Sequence, residues 1–116
     1  MSLAIENAVL STFITGTAVL GMYSNEELFL LNPDVFTGKF RRRLAEIANE
    51  SITNGAPLSE IYFDIDEKVA DLNSNNQDAW LNILATNPLP VEDAKYYHKK
   101  LTEQLIRRRI AHELAR

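Results

Sequence analysis

The sequence predicts an all-α fold, with a compact helical head over residues 1–90 and one long C-terminal helix over residues 91–116. Three observations predict it. Apolar residues recur at intervals of three and four along nearly every segment, the spacing that lines one face of a helix. The segments are joined by short links bearing Gly, Pro or Asn, of the length that connects helix to helix. No segment reads clearly as a strand. At 116 residues the chain has the length of one domain, and a domain of that size buries roughly two-thirds of its unfolded surface, enough for a real core.

The elements follow in order. In "AIENAVLSTFITG", Ile5, Val9 and Phe13 form one line with Leu10 and Ile14 beside it, and Gly16 is the expected stop. "TAVLGMY" reads as an apolar connector. "SNEELFLL" places Ser24 and Glu27 at capping-box spacing and predicts a short helix. In "NPDVF", Pro33 suits the first turn of another. "KFRRRLAEIANESITNG" is the clearest amphipathic helix. At roughly 100° per residue, Phe40, Leu44, Ile47, Ala48 and Ile52 share a face, and Asn54-Gly55 closes the helix ahead of Pro57. Ser59 is the expected cap of the next helix, whose stripe is Tyr62, Ile65, Val69 and Leu72. "NSNNQ" reads as a polar loop, "DAWLNILATN" as a short helix around Trp80, Ile83 and Leu84, and "NPLP" as a rigid turn. The leading Met1-Ser2-Leu3 is compatible with an addition outside the fold.

From Val91 the pattern is helical to the last residue, and its apolar stripe changes side. Ala94, Tyr97, Leu101 and Leu105 fall in one narrow sector, which should dock on the head. Beyond Leu105 that sector carries Arg108 and His112, while Ile106, Ile110 and Leu114 gather on nearly the opposite side. Helical drift of about 20° per heptad is too small to produce this. The second stripe therefore predicts packing against another element, either a further helix or a second subunit. The helix would span roughly 38 Å at 1.5 Å per residue, against a head with a radius of gyration of roughly 13 to 14 Å, so it should overhang.

Composition narrows the function. Net charge is −4 with a sequence pI near 5.1, whereas a domain that holds DNA alone is usually basic. There is no cysteine, so a disulfide framework, a thiolate metal site and a cysteine nucleophile are excluded. No apolar run reaches the roughly 18 residues of a membrane span, and no basic n-region precedes the first apolar stretch. No Gly-rich phosphate loop or nucleophile elbow is present. His98 and His112 lie too far apart along one helix to share a metal. Asp71, Asn73 and Asn75 imitate the start of a calcium loop, but its sixth and twelfth positions hold Asn76 and Asn82 in place of Gly and Glu. Asp64, Asp66 and Glu67 flank Ile65 and read as a solvated acidic face. Arg41 to Arg43 can be matched by Glu46, through Arg42 at four residues' spacing or Arg43 at three. The second arginine run is less neutralised: from Lys95 onward seven Lys/Arg face only Glu103 and Glu113. A basic arm on an acidic head implies an acidic protein partner, an intramolecular contact or a weak nucleic-acid contribution.

The order of motifs resembles the N-terminal domain of bacterial replicative DNA helicases of the DnaB type. The resemblance rests on "IENAVLSTFI", then "NPDVFTGKFRRRLAEIANESI", then the turn "NGAPLSEI", then "IDEKVADL", "AWLNILATNPLP" and the basic "DAKYYHKKLTEQLIRRRIAHELA", in series over nearly the whole chain. The region "TAVLGMYSNEELF" and the link "NSNNQ" depart from the pattern. The resemblance implies an all-helical head followed by a helical hairpin, of which the terminal helix would be the first and truncated arm. It implies self-association into a dimer and, in the full-length parent, a hexamer, with docking of primase or other replication factors in the primosome. DNA would be engaged only through that parent, in the cytoplasm, without membrane contact. No catalytic, cofactor or metal residues are expected in this fragment, since ATP and magnesium would serve an absent motor domain. The expected self-association or partner surface is Ile106, Ile110 and Leu114 with Arg107 and Arg109. The alternatives are an unrelated helical adaptor or regulatory domain and a weak helical DNA-binding module.

Overall fold

The computed structural model describes residues 3–115; of the leading Met-Ser-Leu, Met1 and Ser2 lie outside the described residues and Leu3 opens the first helix. Among the described residues there are five α-helices and no strand: α1 (Leu3–Ser11), α2 (Gly38–Asn54), α3 (Leu58–Glu67), α4 (Ser74–Ala85) and α5 (Val91–Leu114). The core gathers Val9, Leu10, Phe13 and Ile14 from the first helical segment, Phe36, Leu44 and Ala48 from the middle of the chain, Trp80 and Ile83 from α4, and Leu101 from α5. The all-α head and the long terminal helix are as the spacing predicts.

Gly16 does not stop the first helix. The chain continues past Ser11 as a π-helix, Thr12–Val19, and ends only at Gly21, whose φ of 65° is the left-handed value that glycine tolerates. The hydroxyls of this stretch explain both the wider winding and the missed stop. The Thr12 hydroxyl donates to Ala8 O at 2.9 Å and accepts from Leu89 N at 3.0 Å, and the Thr17 hydroxyl donates to Thr12 O at 2.8 Å. Ser11 donates to Thr86 O. This hydroxyl face clamps the "NPLP" turn, and Gly16 lets the turn come close. A Cβ there would meet Pro88 Cβ at 2.9 Å and Met22 Sδ at 3.2 Å. The supposed apolar connector is thus the end of the same helix. Tyr23 completes the clamp, its hydroxyl donating to Leu89 O at 3.4 Å and accepting from Val91 N at 3.0 Å, which fixes where α5 begins.

The middle of the chain is tied to α2 by side chains. Glu27 Oε1 accepts from Ser24 N and the Ser24 hydroxyl at 3.3 and 3.1 Å, but the helix is a single 3-10 turn, Asn25–Glu27. The residues after it run extended. Asn49 accepts from Leu31 N at 2.7 Å and donates to Leu31 O at 2.8 Å, pairing that segment as a neighbouring strand would. Pro33–Val35 forms the expected turn, capped by Asn32, whose side chain accepts from Asp34 N at 3.1 Å. α2 ends as predicted at Gly55, with φ of 72°.

Two boundaries differ from expectation. α3 begins at Leu58 behind Pro57, so Ser59 lies inside the helix and does not cap it. Its stripe is interrupted at Lys68, and Val69 continues it from a 3-10 turn, Val69–Asp71. α4 begins within the expected polar loop, because the Asn73 side chain accepts from Asn76 N at 2.9 Å. A strong cap can open a helix in polar sequence that carries no apolar period.

Candidate functional site

α5 spans 24 residues, about 36 Å at 1.5 Å per residue, on a molecule measuring 44 × 33 × 25 Å. Its two halves behave differently. Ala94 and Leu101 are buried, and Tyr97 and Leu105 pack half-buried against the core. This is the sector that the sequence assigns to docking. From Ile106 to Ala115 every residue is exposed. Ile106 is 50%, Ile110 55% and Leu114 82% exposed. Single exposed aliphatics are ordinary, but three at four-residue intervals on one helix side form a continuous apolar stripe in water.

The docked half is held by polar contacts as well as packing. His98 Nε2 accepts from Asn32 N at 2.8 Å, and its ring lies 5.5 Å from that of Phe29. That bond requires Nε2 to be unprotonated, and burial lowers the His98 pKa from its ordinary value. Further along, Arg109 Nη2 reaches Asp34 Oδ2 at 3.0 Å, with both side chains largely exposed. The structure therefore separates the arginines that the sequence groups together. Arg109 turns back to the Pro33–Val35 turn, while Arg107 and Arg108 are exposed on the arm. On the opposite face, Lys100 lies 5.3 Å from the ring centroid of the exposed Tyr96 and 3.5 Å from Glu103.

The other residues singled out by sequence have local duties. Asp64 pairs with Lys68 at 2.8 Å, which raises the Lys68 pKa through that hydrogen bond. Asp66 is no mere solvated carboxylate, because its Oδ1 accepts from Trp80 Nε1 at 3.3 Å. Asn73 caps α4 in place of any calcium loop. Among the described residues no three His, Cys, Asp or Glu side chains are grouped to hold a metal ion. In the first arginine run, Arg43 and not Arg42 takes Glu46, at 3.2 Å, together with Glu50 at 3.2 Å, and these carboxylates raise its pKa. Arg41 is buried, with Nε donating to Asn7 Oδ1 at 2.9 Å.

Asn7 and its neighbour Glu6 escaped the sequence reading. Both are buried. Glu6 accepts from the Thr37 hydroxyl at 2.8 Å and from Thr37 N at 2.5 Å, at the residue that precedes α2. A carboxylate there complements the positive end of the helix dipole. A second unforeseen feature is a mostly apolar cleft of about 200 Å³ between α2 and α3, lined by Phe40, Leu44, Ile47, Ile65 and Leu72 with Arg43, Asp64 and Lys68 at its edge. Beside it the outward face of α3 carries Glu60, Phe63, Asp64 and Glu67, all exposed, with Phe63 at 62%. Their spacing of three, four and seven residues was legible as one helix face.

No helix among the described residues is long and apolar enough to cross a membrane. Comparison with protein-family models, with curated proteins and with solved structures finds no match to this chain.

Proposed function

We propose that this chain is a non-catalytic assembly and docking domain, the N-terminal part of a replicative DNA helicase of the DnaB type. In this reading it self-associates into the collar of a hexamer and offers a surface to primase or another replication factor in the cytoplasm. The carrying observation is the division of α5 into a docked half and an exposed half whose aliphatics Ile106, Ile110 and Leu114 line one side. The ordered motif series across the chain supplies the family. Arg107 and Arg109 border the same half, and ATP, magnesium and DNA belong to the motor of the parent protein.

The test is sedimentation across the full soluble range. The wild-type chain is expected to dimerise at high concentration, and Ile110→Asp to weaken that dimer by tenfold or more, the equivalent of about 1.4 kcal/mol. A chain that stays monomeric throughout overturns the assembly reading, and ATP turnover by this chain alone overturns its non-catalytic character. A DNA-binding module would instead show duplex affinity falling steeply with salt. The net charge of −4 and the engagement of Arg109 by Asp34 weigh against it.

A further inference from the structure

Charge is divided unevenly along this chain. Residues 1–90 hold five Lys/Arg against twelve Asp/Glu, and residues 91–116 hold seven against four, so a head of net −7 carries an arm of net +3. Three of the twelve carboxylates of the head, Glu60, Asp64 and Glu67, share the outward face of α3 with the exposed Phe63. Directly beside that face opens the apolar cleft between α2 and α3, with Ile47, Ile65 and Leu72 in its lining. At the edge of the cleft Arg43 is paired with Glu46 and Glu50 and Lys68 with Asp64, so with Glu60 and Glu67 the surrounding surface stays net acidic. An apolar slot in a net acidic surface with an exposed aromatic ring suits a basic helix with an aliphatic stripe. Aliphatic side chains fill the slot, and arginines meet both the carboxylates and the ring face.

The molecule itself carries such a helix. The exposed half of α5 presents Ile106, Ile110 and Leu114 on one side, with Arg107 adjoining. Within one copy α5 packs on α1 and the Pro33–Val35 turn, whereas α3 packs on α2 and the π-helical segment, so the arm and the acidic face occupy different parts of the head. We propose that the exposed half of α5 of one copy docks on the α2–α3 cleft and acidic α3 face of a second copy. This rests on the assembly reading above and specifies its geometry. The two surfaces in contact are different, so the interface is head-to-tail: it closes a ring if the rotation permits and otherwise extends a chain of copies. An arm-to-arm dimer would instead use the same patch twice.

Charge exchange on exposed positions separates these arrangements without touching the core. One variant combines Asp64→Lys with Glu67→Lys, and the other is Arg107→Glu; circular dichroism checks that each folds. Each variant alone is expected to self-associate at least tenfold more weakly than wild type, because like charges then face each other. An equimolar mixture is expected to recover association, since each variant supplies the surface that complements the other. Association of the Asp64→Lys/Glu67→Lys variant at the wild-type level, with Ile110→Asp still disruptive, overturns this docking but leaves self-assembly through the arm standing. Failure of the mixture to recover also overturns it. A wild-type chain that never associates overturns both this docking and the assembly reading.

Discussion

Gly16→Ala tests the account of how the first helix meets the exit of α4. Two effects oppose each other. Alanine in a helix interior is favoured over glycine by about 0.5–1 kcal/mol, because glycine loses more backbone freedom on folding. Against this, the new Cβ would sit 2.9 Å from Pro88 Cβ and 3.4 Å from Pro88 Cγ, inside the 3.5–4.0 Å at which carbon atoms attract. The proline ring is stiff, and the Leu89 N bond to Thr12 anchors the turn behind it. Overpacking of this kind costs about 1–3 kcal/mol, so crowding should exceed propensity and leave a net loss of about 1–2 kcal/mol. Thermal denaturation would show a Tm lower by several degrees, at about 4 °C per kcal/mol for a domain of this size. Removing the proline Cβ should reverse the sign: in a Pro88→Gly background, Gly16→Ala should become neutral or stabilising. Gly21→Ala is the control. Nothing lies within 4 Å of its Cβ position, but its φ is +65°, so its cost of about 1–2 kcal/mol comes from the backbone alone and should not depend on residue 88. A rise in Tm on Gly16→Ala, or simple additivity with Pro88→Gly, would refute the close approach.

Two further perturbations probe what fixes the arm and the head. The His98 pKa lies below its ordinary value, so the unfolded chain binds the proton first as pH falls; the stability His98 contributes is complete above about pH 6.5 and is lost as pH drops through the folded pKa. The denaturant midpoint should therefore fall as pH drops below about 6.5, and His98→Leu should flatten that slope while lowering the plateau; an unchanged slope would discount the Asn32 bond. Glu6→Ala should cost about 2 kcal/mol, because it strips the Thr37 amide and hydroxyl of a buried charged acceptor at the start of α2. A double-mutant cycle with Thr37→Ala checks this, and it fails if the two losses add.

How much of this was legible in sequence depends on what kind of signal each element carries. α2 was readable because its period, its closing glycine and the following proline agree. The docked sector of α5 was readable for the same reason, and so was the change of side at Leu105, since both follow from helical period alone. The first helix misled because Gly16 offers two meanings to a reader of sequence. Glycine stops helices, but it also allows close approach, and only the position of Pro88, 72 residues later, decides between them. The start of α4 was missed because its cap is polar and its first turn contributes nothing to the core. The burial of Glu6, Asn7 and Arg41 was illegible for a different reason. Each looks like ordinary surface until the fold brings α1 against the start of α2. The α2–α3 cleft is likewise a product of packing between elements, although the acidic face beside it was written at helical spacing.

The exposed half of α5 shows why its aliphatics weigh more than its charges in the functional reading. Arginine count alone pointed toward nucleic acid, but a guanidinium on a long side chain can satisfy itself nearby, as Arg109 does with Asp34. That pair is solvent-exposed and contributes at most about 1 kcal/mol, so it does not set the course of the helix. The course is set by Ala94 and Leu101 in the core, by Tyr23 at the first turn and by His98 midway. Once those anchors are in place, helical geometry fixes the direction of every later side chain, and Ile106, Ile110 and Leu114 face away from the docked sector. Unlike an arginine, an aliphatic side chain has no local means of satisfying itself in water, and covering one fully is worth about 1.5–3 kcal/mol. A rigid helix that holds three of them in register outside the head is therefore built in a form that a second surface can cover, and the energetic incentive to do so lies in the stripe.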